Sequence, residues 1–177
     1  MKKIAISVFA LPLVMLPAIA WGQAAPAPAP APAPMTGFVN QNPDFTVIHM
    51  ERTVDRPAAT VWAKVGGYCQ IEAWFGTKCV LTTGTGEIGT NRRLNGVTDE
   101  LMVAKSPLSY AYSQPLSPIY YHGNLSVEVL DASHSKIVYD LLYDTAGLTP
   151  EAKAADIARR KTRFEAGIEK MVELAHQ

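Results

Sequence analysis

The chain has 177 residues, of which 48% are hydrophobic and 18% are charged, and this balance is typical of a globular protein. It excludes collagen, coiled coils, mucin-like stalks and intrinsically disordered chains. Lysine plus arginine and aspartate plus glutamate both number 16, so there is no basic excess, and nucleic acid is not an expected partner.

The first 20 residues have the pattern of a secretory signal peptide. Lys2 and Lys3 precede an uncharged apolar run that ends in a small-x-small sequence at residues 18–20. A membrane anchor is the alternative, but the run is short and is interrupted by Pro12 and Pro17. We therefore expect cleavage, a periplasmic or secreted protein, and no stable membrane insertion afterwards.

Residues 21–43 are predicted to be a linker, in which alanine and proline alternate from Ala25 to Pro34. Proline at every second position fixes φ, so this stretch favours an extended rod. It is either a spacer or a passive tail behind the signal peptide. Residues 44–177 contain no repeat and no second linker, which indicates one domain with a single core.

The domain is predicted to begin with a strand and two short helices. Phe45 to Thr53 is rich in β-branched and aromatic residues, which favour a strand. Pro57 to Val65 is predicted to be a helix capped by Asp55 or Arg56. A second helical turn is expected from Gln70 to Phe75, before Gly76.

Two cysteines, Cys69 and Cys79, lie ten residues apart, and Cys79 opens a predicted strand that runs to Thr83. An even, small number of cysteines in an exported protein favours a disulfide. The alternative is a pair of buried thiols that are merely close together. We expect the disulfide.

The rest of the domain is dominated by strand-forming segments, which with short loops pair antiparallel. These segments are Asn91 to Asn95, Thr98 to Ala104, Leu108 to Gln114, Tyr121 to Leu130 and Ile137 to Tyr143. In one of them, Leu125, Val127 and Val129 alternate with polar residues, which predicts one dry face and one wet face.

A long amphipathic helix is predicted at the end of the chain. Thr149, Pro150 and Glu151 supply a cap residue, a first-turn proline and an acidic side chain against the helix dipole. Helical spacing places the apolar residues in one stripe, formed by Ile157, Phe164, Ile168, Met171 and Ala175.

Basic residues interrupt this stripe at positions 159–161 and at Arg163. Such a run is either a site for anionic lipid or phosphate, or a solvated helix face. We expect the solvated face, with Asp156 and Arg160 paired four residues apart.

These elements predict an α+β helix-grip fold, in which a curved seven-stranded antiparallel sheet wraps around the C-terminal helix and two short helices follow the first strand. The arrangement is economical because the helix stripe and one sheet face cover each other. Such a fold often leaves an apolar cavity between the sheet and the helix.

From about residue 45 to the C-terminus, the chain resembles the START-related SRPBCC superfamily, which includes pollen-allergen-like proteins and the polyketide cyclase/dehydrase and lipid-transport family. The segments that carry the resemblance are Asp55 to Trp62, Tyr68 to Trp74, Gly84 to Arg92, Asp99 to Leu101, and Tyr120 with Tyr121. The resemblance implies an apolar or aromatic small-molecule ligand. Many relatives carry Trp-His-Pro where this chain has Trp-Phe-Gly at 74–76. Because this chain lacks that histidine, the difference argues against any enzymatic role that would use it.

Several familiar chemistries lack support in the sequence. The glycines of Gly84-x-Gly86-x-x-Gly89 spell a dinucleotide fingerprint, but a strand is predicted after them where a helix is required, so we expect a hairpin loop. The histidines show no metal-ligand spacing, and no Gly-x-Ser-x-Gly motif is present. We therefore predict no cofactor, no metal and no activated nucleophile. The histidines are His49, His122, His134 and His176.

Tyrosines in the predicted strands could line a cavity and orient the polar end of a ligand. Any single tyrosine is nevertheless expected to be an ordinary sheet residue with an exposed hydroxyl. Arg92 and Glu100 are expected to form a cross-strand ion pair, unless they point inward as acid-base or anion-orienting groups. The tyrosines are Tyr110, Tyr112, Tyr121, Tyr139 and Tyr143.

Our leading hypothesis is an exported, non-catalytic binding or carrier protein for a hydrophobic or aromatic small molecule or a lipid. The predicted ligand-binding residues are Trp74, Arg92, Glu100, Leu101, Tyr112, Tyr121, Leu125, Tyr139, Phe164 and Ile168. The alternative is a cyclase, dehydratase or isomerase acting on an aromatic or polyketide-like substrate through Arg92, Glu100 and a tyrosine. A third possibility is an interaction module with a filled core. The sequence leaves the oligomeric state open.

Overall fold

The computed structural model of the protein describes residues 42–177. The predicted signal peptide and the linker as far as residue 41 lie outside the described residues. The elements are β1 (Phe45–Val54), α1 (Ala58–Val65), α2 (Ile71–Phe75), β2 (Cys79–Thr83), β3 (Asn91–Leu94), β4 (Thr98–Ser106), β5 (Ser109–Ser113), β6 (His122–Val129), β7 (Ser135–Asp144) and α3 (Pro150–Ala175). Within this part of the chain, no helix combines the length and the apolar character needed to cross a membrane.

The seven strands form one antiparallel sheet in the order β1-β7-β6-β5-β4-β3-β2. From β2 to β7, each strand pairs with the next along the chain, and β1 then pairs with β7, with Phe45 opposite Asp144. The predicted helix-grip architecture is confirmed, including the two short helices after the first strand and the long terminal helix.

Helix α3 begins where its sequence predicts. The Thr149 hydroxyl accepts a hydrogen bond from the Ala152 amide at 3.3 Å, and a proline occupies the first turn. Phe164, Ile168 and Met171 are buried, and the Phe164 ring centroid lies 5.0 Å from that of Tyr139 on β7. Each such side chain contributes about 1.5–3 kcal/mol through burial, so this stripe holds the helix in the curve of the sheet.

Two local predictions are wrong. The N-cap of α1 is Pro57, whose carbonyl accepts from the amides of Thr60 and Val61, so neither Asp55 nor Arg56 caps the helix with its side chain. The second concerns β6, where the last residue of the predicted dry face, Val129, is 65% exposed. It is the last residue of β6 and pairs with Ser135 at the start of β7, at the β6–β7 hairpin.

The predicted disulfide is present. Cys69, in the turn before α2, is bonded to Cys79 at the start of β2, with 5.4 Å between their Cα atoms. The Cys79 amide also donates to the Glu72 carboxylate at 2.6 Å. Together these links fasten α2 to the edge strand of the sheet, and α2 forms one wall of the site described next.

Candidate ligand-binding site

An ion pair lies under the sheet between β3 and β4, where Arg92 and Glu100 stand opposite each other. The Arg92 Nε and Nη2 atoms donate to Glu100 Oε2 at 2.8 and 2.6 Å, and the two side chains are 0% and 3% exposed. Glu100 Oε1 accepts from Gln114 Nε2 at 2.9 Å. The expected cross-strand ion pair is therefore present. Its two side chains also point inward, so the pair combines the two arrangements that the sequence left open.

Aromatic rings surround the Arg92 guanidinium. Its Cζ atom lies 4.2 Å from the Tyr68 ring centroid, 5.0 Å from that of Tyr112 and 5.6 Å from that of Tyr110. Arg92 Nη1 donates to the Tyr68 carbonyl, and the Tyr68 hydroxyl donates to the Glu100 carbonyl at 2.9 Å. Stacking of a desolvated cation on aromatic faces is favourable. Arg92 is thus held rigidly and is enclosed by protein.

The five tyrosines singled out in the sequence are all buried, so the expectation of exposed hydroxyls is wrong. Four of them lie on β5 and β7, where strand alternation places them on the same side as the core residues, and Tyr121 directly precedes β6. The hydroxyls of Tyr112 and Tyr139 lie 2.9 Å apart. Burial raises the pKa of both residues well above that of an ordinary phenol, so both remain protonated.

A cleft of about 300 Å³ opens between the sheet, α2 and α3. Glu100, Tyr112 and Tyr121 supply polar atoms to its lining, while Phe75 and Phe164 form an aromatic wall with ring centroids 4.7 Å apart. This volume lies at the lower end of the range for small-molecule sites. Gln114, Arg160 and Arg163 also line the cleft.

Arg160 lines both this cleft and a second cavity of about 670 Å³. Its Nε atom donates to Asp156 Oδ2 at 2.7 Å, which is the pairing expected four residues apart. Its Cζ atom lies 4.3 Å from the Tyr143 ring centroid and 5.4 Å from that of Tyr121. The side chain is 20% exposed, so the expectation of a fully solvated helix face does not hold for Arg160.

Residues 46–176 match the model of the family described as polyketide cyclase / dehydrase and lipid transport. The chain belongs to this family. The predicted SRPBCC resemblance is thereby confirmed, whereas no curated protein sequence matches significantly.

Solved structures share the family's fold. A protein from Thermobifida fusca is similar with a TM-score of 0.62 and 21% identity, over 73% of this chain and 92% of that one. The Zhui aromatase/cyclase from Streptomyces sp. R1128 is similar with a TM-score of 0.58 and 20% identity, over 75% of this chain and 94% of that one. A point mutant of norcoclaurine synthase from Thalictrum flavum is similar with a TM-score of 0.56 and 16% identity, over 77% of this chain and 97% of that one. At these identities the likeness establishes the fold alone.

The predicted ligand-binding residues of this family member divide into three groups. Four of them line the cleft: Glu100, Tyr112, Tyr121 and Phe164. Five are buried in the core without lining the cleft: Trp74, Arg92, Leu125, Tyr139 and Ile168. Leu101 lies between Glu100 and Met102 on β4, so alternation places it on the opposite face of the sheet, away from the cleft.

Sequence reasoning missed Phe75, Gln114, Arg160 and Arg163 as lining residues. For the two arginines a signal was available, because positions 160, 163 and 164 share one side of a helix. Phe75 and Gln114 could not be recognised in this way, because their positions at the cleft depend on how α2 and the end of β5 approach α3.

The glycine-rich loop between β2 and β3 has positive φ at Gly84, Gly86 and Gly89, as a hairpin loop of this kind requires. Strand β3 follows it, as predicted, so its geometry differs from that of a dinucleotide-binding turn. Among residues 42–177, no three histidine, cysteine, aspartate or glutamate side chains are grouped so that they could hold a metal ion.

Proposed function

We propose that the protein is an exported binding or carrier protein that holds a small apolar or aromatic molecule in the cleft between the sheet and α3. The observation that carries the proposal is an aromatic-walled cleft whose lining carboxylate, Glu100, is already hydrogen-bonded through both oxygens. A volume of about 300 Å³ suits a compact molecule with one or two rings better than a long acyl chain. Export is inferred from the N-terminal sequence pattern.

The contacts of the polar groups favour binding without chemical conversion. A general base must be able to reach the proton that it removes from the substrate. Glu100 accepts three hydrogen bonds, two from Arg92 and one from Gln114, so both carboxylate oxygens are engaged by protein donors. Arg92 is in turn enclosed by tyrosine rings. The Tyr112 hydroxyl lies 2.9 Å from that of Tyr139, so it too is engaged within the protein.

A cyclase or dehydratase is the second candidate, and one observation favours it. A second polar group, the Arg160–Asp156 pair, stands beside the cleft, so acidic, basic and hydroxyl groups are all close to one cavity. In this case Glu100 would exchange its hydrogen bond with Gln114 for one with the substrate.

The two candidates are distinguished by native mass spectrometry of the mature protein purified from the periplasm, followed by extraction of the bound molecules. A single apolar species recovered unchanged supports the carrier. A mixture of a precursor and its cyclised or dehydrated product supports the enzyme. An empty protein that also fails to bind a hydrophobic dye contradicts both and favours an interaction module.

Two matched threonine substitutions control this experiment. Thr98 lines the cleft, whereas Thr82 is exposed on β2 and does not line it. Thr98→Phe should abolish copurification of the ligand, and Thr82→Phe should leave it unchanged. The intact mass of the same samples also shows whether the chain has been cleaved near residue 20.

A further inference from the structure

Arg163 differs from the other basic residues of α3 in its ion pairing. The others each have a carboxylate partner within 4.0 Å: Lys153 with Asp44, Arg159 and Arg160 with Asp156, Lys161 with Glu165, and Lys170 with Glu173. Over residues 42–177, no carboxylate comes within this distance of Arg163. Residues 1–41 contain no aspartate or glutamate that could supply one.

Arg163 is also at the cleft. It is one of the lining residues, and its Cζ atom lies 4.7 Å from the centroid of the Phe75 ring. That ring in turn packs against Phe164, so the guanidinium lies against the aromatic wall. An arginine stacked on an aromatic ring keeps its planar donors free for a further partner.

The charge around the cleft is positive. Glu100 is neutralised by Arg92, which leaves no net charge from this pair. Asp156 is shared by Arg159 and Arg160, so two cations have one carboxylate between them. Arg163 adds a cation with no counter-charge, so the α3 side of the cleft attracts anions.

We propose that the ligand is an anion: an apolar or aromatic molecule that carries a carboxylate or a comparable acidic group. Its ring lies against the wall formed by Phe75 and Phe164, and its acidic group pairs with Arg163 at the rim of the cleft. The planar guanidinium suits bidentate pairing with such a group. The inference rests on the proposed ligand-binding function and specifies the class of ligand.

The test compares two fluorescent probes that share an anilinonaphthalene ring system, one carrying a sulfonate and the other, N-phenylnaphthylamine, uncharged. The wild-type protein should bind the sulfonated probe about tenfold more tightly, as expected for one charge-assisted contact. Arg163→Gln should remove most of this preference, and Arg163→Lys should retain part of it. Raising the salt from about 10 mM to about 1 M should also reduce the preference.

Lys161→Gln is the matched control, because it removes one positive charge from an exposed site on the same helix that does not line the cleft. It should preserve the probe preference. Thr98→Phe should abolish binding of both probes, which shows that they occupy the cleft. Equal wild-type affinities for the two probes, or equal effects of Arg163→Gln and Lys161→Gln, would overturn the anion inference alone. Failure of both probes to bind the wild-type protein would overturn the proposed function with it.

Discussion

Tyr112 and Tyr139 share a hydrogen bond of 2.9 Å although β6 separates their strands, β5 and β7. The contact is possible because Gly123, on β6, stands directly opposite Tyr112. A Cβ atom added at Gly123 would collide with the ring and hydroxyl of Tyr112. The ring therefore crosses β6 where that strand has no side chain.

Gly123→Ala should destabilise the fold by about 1–3 kcal/mol, because the added methyl group overpacks a buried ring. It should also weaken probe binding, since Tyr112 lines the cleft. Urea unfolding and probe titration measure the two effects. Gly147→Ala is the control, because nothing lies within 4 Å of its added Cβ. Equal stabilities of the two variants would contradict the argument.

Removing either partner of the Arg92–Glu100 pair should cost about 3–5 kcal/mol, because the remaining charge is buried without compensation. The double variant Arg92→Met/Glu100→Leu should be more stable than either single variant. Urea unfolding of the four proteins tests this coupling. Arg93→Gln, in the exposed neighbouring pair with Asp99, should cost less than about 1 kcal/mol. A double variant whose loss of stability equals the sum of the two single losses would refute the coupling between Arg92 and Glu100.

The Cys69–Cys79 disulfide closes a short loop, with a sequence separation of 10. The chain-entropy model assigns such a loop about 2–3 kcal/mol. Cys69→Ala/Cys79→Ala should lower the free energy of unfolding by this amount, measured with guanidinium chloride. A reductant should destabilise the wild-type protein and have no effect on the double variant. An equal response of both proteins to the reductant would count against the prediction.

Alkaline pH should ionise most of the tyrosines only as the protein unfolds. Burial raises the pKa of Tyr143 to about 12, and it raises the pKa values of Tyr68, Tyr110, Tyr112, Tyr121 and Tyr139 as well. The unfolded chain ionises first, near pH ~10, so the stabilisation present below that pH is lost as the pH rises through the folded pKa values.

Phenolate absorbance and circular dichroism, recorded together, measure this coupling. In denaturant, all seven tyrosines should titrate near pH ~10. Ionisation of several tyrosines near that pH while the circular dichroism remains native would contradict it.

The sequence predicted the fold well because its signals are local. Alternation located the strands, and the Thr149 cap with its following proline located the start of α3. The burial of the strand tyrosines could not be predicted, because Ser-Tyr-Ala-Tyr-Ser alternates equally well whichever face the helix covers. The cleft lining depends on contacts between distant elements, so the sequence predicts Leu101, which does not line the cleft, and does not predict Phe75, which does.

The strand order also has a consequence for how the chain folds. Strands β2 to β7 pair with their neighbours in sequence, so these hairpins can form one after another as the chain emerges. β1 has no partner until β7 has been made, since Phe45 pairs with Asp144, 99 residues later (144 − 45 = 99). Closure of such a long loop is entropically costly and slow. We therefore expect the pairing of β1 with β7 to be a late step, during which the edge of β7 is open to pairing with another chain.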